Sequence, residues 1–260
     1  MAVAVPDILA RIVGHKRSML ARTTGNRAEL ERRAADRSLA RDFRAALTAA
    51  PPAIISEIKK ASPSRGVFTE DFQPGSIAKL YASGGAAALS VLTDEEFFKG
   101  KLSDLEAARA AVTIPVLRKD FTIDEFDIVE AASHGADAIL LIAAILDVGQ
   151  LRGFRELAAQ YGMAALVEVH DNAELDAAFD SGAQIVGVNN RNLHTFEVTL
   201  DTSLRLVERM PAQLVKVAES GIHSHSDVQR LKDAGFHAFL VGEHLMKSAD
   251  PAAALRELRS

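Results

Sequence analysis

From residue 53 onward, short apolar runs alternate with stretches whose apolar residues recur every three or four positions. The runs occupy 53–58, 86–92, 115–117, 138–142, 164–169, 184–188, 214–217 and 238–241. They are nearly continuous rather than alternating, which suits strands buried on both faces. Between them, 126–134, 151–161, 173–181 and 226–234 read as amphipathic helices. Gly135, Gly162, Gly182 and Gly235 follow these helices where a left-handed residue closes a C-terminus. Strand and helix in regular alternation predict a parallel sheet with right-handed crossovers. Eight such units predict an α/β fold, a (β/α)8 TIM barrel. The rival is a doubly wound open sheet, which carries a GxGxxG turn after its first strand; here the first run is followed by KKASPSRG.

The first fifty residues follow another rhythm. Ile8, Ile12 and Val13 recur at helical spacing behind Pro6, with Asp7 as a cap. The charged, Ala-rich stretch 26–47, capped by Asn26, has a sparse stripe of Leu30, Leu39, Phe43 and Leu47. Pro51 and Pro52 end the helical pattern. The expected organisation is therefore an N-terminal helical extension over 1–50, packed on a barrel catalytic domain over 51–260.

Composition narrows the function. The net charge of −5 over 260 residues argues against a nucleic-acid partner, while leaving room for a basic pocket that captures a small anion. No apolar stretch reaches about 18 residues, so no membrane partner is expected. The start lacks a basic segment ahead of a long apolar run, so no signal peptide is expected. With no cysteine, disulfides, thiolate catalysis and Cys-ligated metals are excluded, and a cytoplasmic location is expected. The eight histidines show no HExxH spacing; His223 and His225 diverge at a helix start, and His170 and His194, in strand-end loops within reach of a substrate, read in the first place as solvated loop residues. Neither a metal nor a cofactor is expected. The oligomeric state is left between a monomer and a weak homo-oligomer.

Barrel enzymes carry their chemistry at the carboxyl ends of the strands. Here the first run ends in Glu57 and Lys59, the third in Lys119 and Phe121, and the fifth in Glu168. The sixth ends in Asn189 and Arg191, the seventh in Glu219, Ser220 and Gly221, and the eighth in Gly242 and Glu243. Only the fourth, with Leu140, stays apolar. Glu57 and Lys59 are two apart and share a strand face, so both point into the mouth, where an isolated charge is costly and either a mutual pair or a bound ligand offsets that cost. The loops after the last two strands, ESGIHS and VGEHLM, suit a phosphate. Gly221 and Gly242 admit an anion close to the backbone, Ser220 adds a hydroxyl, and Glu243 opens the last helix. Its carboxylate must turn away from a dianion, leaving its N–H as the donor.

The pieces IISEIKKASPSRGVF, SVLTDEEFFKG, PVLRKDF, ADAILLIAAIL, ALVEVH, IVGVNNRNL, VKVAESGI and FLVGEHLM, in this order, resemble the indole-3-glycerol phosphate synthase family of tryptophan biosynthesis. The helical extension is similar too, and a single barrel resembles the monofunctional form. The resemblance implies a carboxy-lyase acting on a small phosphorylated aromatic sugar, 1-(2-carboxyphenylamino)-1-deoxyribulose 5-phosphate. The ring attacks the C2′ carbonyl, carbon dioxide leaves, then water leaves. By resemblance Lys119 is the acid of ring closure and Glu168 the strand-five carboxylate. Lys59 contacts the substrate carboxylate and protonates the departing hydroxyl, with Glu57 orienting it; which lysine serves which step is left open. Asn189 with Arg191, and Glu219 with Ser220, are similar to the family's polar pairs on strands six and seven, with Arg191 a bidentate donor for an anion or for Glu57. Phe98, Phe121, Leu140 and Leu193 fall where the family holds the aromatic ring. The loop after strand one, with Lys59 and Ser62, reads as a lid over phosphate and carboxylate. Other phosphosugar barrels share the strand-seven and strand-eight phosphate site but lack the paired Glu-x-Lys and Lys-Asp-Phe. A barrel that only binds its ligand would be expected to lose Lys119 or Glu168.

Overall fold

The computed structural model describes residues 7–22, 27–37, 40–63 and 65–260, with the Asp7 side chain excepted. Eight parallel strands among them close into one barrel: β1 (Ala53–Ile58), β2 (Ala88–Leu92), β3 (Val116–Lys119), β4 (Ala138–Ile142), β5 (Ala164–Val169), β6 (Ile185–Asn189), β7 (Val215–Glu219) and β8 (Ala238–Val241). Each pairs with the next along the chain, and β8 returns to β1 from Ala53↔Ala238 to Ser56↔Val241. The sheet is closed, so the open-sheet alternative falls.

The period of two along each strand divides the apolar residues between two cores. Ile55, Leu117, Leu140, Leu166, Val217 and Leu240 gather inside the barrel. Ile54, Val91, Ile139, Val167, Val186 and Phe239 face outward into the layer beneath the helices. Continuous apolar runs are the consequence, because both faces of every strand are dry.

Three helices precede the barrel: α1 (Asp7–Arg22), α2 (Arg27–Ala35) and α3 (Phe43–Thr48). The stretch 26–47 is thus two helices rather than one. Between them Arg37 and Arg41 turn under the barrel: Arg37 Nη2 donates to the Ala136 carbonyl at 2.6 Å and Arg41 Nη1 to the Ile114 carbonyl at 2.7 Å. Asp42 then restarts the helix, accepting the Ala45 N–H at 2.8 Å. Phe43 and Leu47 of α3 join the inner core. Asn26, Leu39 and Pro6 lie outside the described residues, as does the Asp7 side chain.

The remaining helices are α4 (Pro74–Ser83), α5 (Glu95–Phe98), α6 (Leu102–Ala111), α7 (Glu125–Ser133), α8 (Val148–Gln160), α9 (Asn172–Asp180), α10 (Asp201–Val207), α11 (His225–Asp233), α12 (Glu243–Met246) and α13 (Pro251–Arg259). The four glycines read as helix stops all have positive φ, from 71° to 106°. Glu243 opens the single-turn α12, not the last helix as expected; α13 starts afresh at Pro251, where Asp250 accepts the Ala253 N–H at 2.9 Å. After β1 the chain makes a short antiparallel hairpin, Ala61–Ser62 against Gly66–Val67. No helix among the described residues is long and apolar enough to cross a membrane.

Candidate active site

A cavity of about 370 Å³ opens at the carboxyl ends of the strands. Every residue nominated from the sequence lines it. The strands and their ends supply Glu57, Lys59, Lys119, Phe121, Leu140, Glu168, Asn189 and Glu219. The loops and helices beyond them supply Ser62, Phe98, Arg191, Leu193, Ser220, Gly221, Gly242 and Glu243.

The floor is a charged cluster. Lys119 Nζ lies 2.8 Å from Glu168 Oε2 and 3.4 Å from Glu219 Oε2. Lys59 Nζ meets Glu57 Oε1 at 2.6 Å and stands over the Phe68 ring, 5.3 Å from its centroid. Asn189 Nδ2 donates to Glu168 Oε1 at 3.1 Å, and the Asn189 carbonyl oxygen of the side chain accepts the Arg191 N–H at 3.0 Å. Burial works against the Lys119 charge, but Glu168, Glu219 and Glu57 outweigh it and hold the ammonium well above the ordinary lysine range. Burial pushes the Glu219 carboxyl up to about 7 against the pull of Lys119, with the charges of Glu168 and Glu57 adding to the rise. Glu168 is driven the other way, well below the carboxylate range: Lys119 and His170 overcome its desolvation.

His170 departs from its reading as a solvated loop residue. It follows β5 directly, its ring Nδ1 meets Glu174 Oε2 at 2.9 Å, and its Nε2 faces Glu168 Oε1 at 3.4 Å. Arg191 departs as well: its Nη1 donates to the Phe196 carbonyl at 3.4 Å, and the partner of Glu57 is Lys59.

One wall is apolar. The Phe98 and Phe121 rings lie 6.1 Å apart and tilted by 37°, beside Leu140 and Leu193. Ile8, Leu9 and Ile12 of α1 complete this wall, a contribution the sequence reading missed. The same helix holds the end of β3 in place. Lys16, 7% exposed, reaches Asp120 Oδ1 at 3.0 Å. Asp120 also accepts the Phe121 N–H at 2.8 Å, Thr93 Oγ1 at 2.7 Å and Arg118 Nη2 at 2.9 Å. Thr93, Arg118 and Asp120 therefore form a buried network that seats Lys119 and Phe121.

The opposite end is built from loops. Ser220 and Gly221 have φ of 67° and 78°, and Asn190 Nδ2 holds the Ser220 carbonyl at 3.1 Å. The positive φ favours glycine at 221, and a Cβ there would also stand 2.6 Å from Val198 Cγ1, a methyl group of an exposed side chain that would have to shift. At Gly242 a side chain would collide with the Glu57 carboxylate, so this glycine makes room for Glu57. The Glu243 carboxylate is turned outward to Arg65 Nε at 3.2 Å and Lys247 Nζ at 2.6 Å. Two histidines the sequence reading did not connect, His223 and His244, meet edge to face at this end, 6.3 Å apart. No group of three or more His, Asp or Glu side chains among the described residues is arranged to hold a metal ion.

Over residues 9–258 the chain matches the family model described as indole-3-glycerol phosphate synthase. Relatives bearing that name include one from Albidiferax ferrireducens, 50% identical over 258 residues, covering 97% of this chain and 98% of the relative. Another, from Burkholderia vietnamiensis, is 50% identical over 259 residues, with 97% and 98% covered. A third, from Chromobacterium violaceum, is 49% identical over 258 residues, with 97% of each chain covered. Among solved structures, thiamine phosphate pyrophosphorylase from Pyrococcus furiosus has the same fold, with a TM-score of 0.62 at 17% identity, covering 84% of this chain and 96% of that one.

Proposed function

The chain belongs to the indole-3-glycerol phosphate synthase family, and from that premise we propose how its cavity performs the family's reaction. The protein is a carboxy-lyase of tryptophan biosynthesis that converts 1-(2-carboxyphenylamino)-1-deoxyribulose 5-phosphate to indole-3-glycerol phosphate.

Three bonds change. The ring carbon bearing the carboxylate bonds to C2′ while the carbonyl oxygen takes a proton. The carboxylate leaves as carbon dioxide, and its electron pair restores the aromatic ring. The hydroxyl on C2′ then takes a second proton and leaves as water, while C1′ gives up a proton. Two protons enter and one is released, so each turnover takes up one.

Lys119 is the acid of ring closure. Its ammonium is kept charged by Glu168 and Glu219, so it has a proton to deliver where alkoxide charge develops. Glu168, aimed by Asn189, accepts the C1′ proton and returns it to Lys119 across 2.8 Å. Lys59, oriented by Glu57, binds the substrate carboxylate and serves the departing hydroxyl. Glu219, as the second partner of Lys119, fixes the ammonium over the floor. The slot of Phe98, Phe121, Leu140, Leu193 and the α1 residues takes the aromatic ring, which makes α1 part of the catalytic unit. Ser220, Gly221, Gly242 and the first N–H groups of α12 take the phosphate, with Lys59, Ser62 and Arg191 at the rim.

The observation that carries this reading is the Lys119–Glu168 pair at 2.8 Å on the floor between an aromatic wall and a glycine-lined end. The test is the appearance of indole absorbance or fluorescence from the synthetic substrate. The isomerase substrate should give none, and the tryptophan synthase α-subunit substrate, already an indole, should be left unchanged.

A further inference from the structure

His170 takes no part in the chemistry above, yet it touches the carboxylate at its centre. Its backbone N–H and ring Nδ1 both meet Glu174 Oε2, at 2.8 and 2.9 Å. Asp171 caps α9 by accepting the Glu174 N–H at 2.9 Å, which fixes where Glu174 stands. On its other side the buried Nε2 lies 3.4 Å from Glu168 Oε1, an ion-pair distance without hydrogen-bond alignment, at the oxygen that Asn189 holds and opposite the one held by Lys119. The side chain is only 13% exposed. It lines a second cavity, of about 610 Å³, whose other titratable groups are Asp171, Glu174, Glu197, Arg191, Arg205 and His194. The imidazole is thus wedged between two carboxylates with its back to the reaction.

We infer that His170 is a positioning residue that keeps Glu168 ionised and aimed at the substrate, with Glu174 as its anchor. The inference rests on the reading of Glu168 as the proton acceptor. Its physical basis is the 2.8 Å gap to Lys119. If Glu168 took the ammonium proton early, the acid would be spent and the base occupied at once. A cation beside the far oxygen lowers the proton affinity of Glu168, so the proton stays on Lys119 until the carbonyl oxygen takes it. The surroundings keep that cation charged. Burial opposes it, but Glu168 and Glu174 together lift the imidazole to about 10.

The test combines a spectroscopic and a kinetic readout on the full chain. In ¹⁵N-histidine NMR at about pH 8, where an ordinary imidazole is neutral, the signal lost in His170→Gln should be that of an imidazolium. In Glu174→Gln that signal should titrate at lower pH. His170→Gln keeps an N–H near Nε2 but removes the charge; its kcat should fall about tenfold, with KM within about twofold of wild type. Glu174→Gln should lower kcat in the same direction by less. A His170 signal titrating near the ordinary value, or a folded His170→Gln with full kcat, overturns the inference. Glu168→Gln separates the two readings. If it retains wild-type turnover, the role of Glu168 itself is wrong. If it is inactive while His170→Gln is fully active, only the inference about His170 fails.

Discussion

The carboxylate of Glu57 rests against the Cα of Gly242, across the seam where β8 returns to β1, and it holds Lys59 Nζ at 2.6 Å from that position. The same arrangement recurs between β6 and β7, two strands away around the barrel. There the Glu219 carboxylate occupies the space a side chain on Gly187 would need. Both floor carboxylates gain their room from a glycine, Gly187 on the neighbouring strand β6 and Gly242 just past the end of β8. In each case the reason is steric, for Gly242 has an ordinary negative φ of −121°.

Gly242→Ala should therefore act through Glu57. The methyl group forces the carboxylate and its lysine to move, an overpacking cost of about 1–3 kcal/mol. The expected result is a folded protein by circular dichroism whose KM for the phosphorylated substrate rises about tenfold, the equivalent of about 1.4 kcal/mol. Unchanged KM and kcat would show that Glu57 and Lys59 need not stay where they are.

Glu219 gives a stability prediction with a defined sign. Its folded-state value of about 7 lies above the ordinary 4.5. Between those values the native protein holds a proton that the unfolded chain has released. Stability from this group therefore falls as pH rises through that window, and the loss is complete above about 7. Glu219→Gln has no proton to lose. Its urea midpoint should gain on wild type between about pH 5 and about pH 8. A pH-independent difference between the two proteins would place the Glu219 titration elsewhere.

The extension makes its own prediction. Lys16→Met leaves Asp120 buried with its other donors but without the α1 ammonium. Breaking a buried pair in this way costs about 3 kcal/mol. Because Asp120 also holds the Phe121 N–H next to Lys119, kcat should fall at temperatures well below the lowered Tm. Lys16→Arg should restore much of both. A lowered Tm with full kcat would confine Lys16 to stability.

The barrel was legible because each strand is an apolar run dry on both faces, and the site because polar residues break those runs at one end. Glu57, Lys119, Glu168 and Glu219 stand at the carboxyl ends of their strands or one residue short of them, where a (β/α)8 reading looks for chemistry. What was not legible depends on contacts distant in sequence. The stripe of Ile8, Leu9 and Ile12 has the same spacing whether it packs on a helix or walls a pocket. His170 looks like any residue between a strand and a helix cap until β5 and α9 bring two carboxylates to its ring. The split between α12 and α13 does leave a signal in the sequence, since Asp250 followed by Pro251 is a helix start after the one that Glu243 opens.

The central claim is that the Lys119 ammonium is the acid of ring closure. The direct measurement is indole fluorescence from the synthetic substrate with wild type and Lys119→Met, alongside the Kd of each for a reduced, unreactive substrate analogue. The account predicts turnover lower by about 10²–10⁴ in the variant, with Kd within about threefold because the aromatic slot and phosphate end remain. A folded Lys119→Met retaining more than about a tenth of wild-type turnover would contradict it.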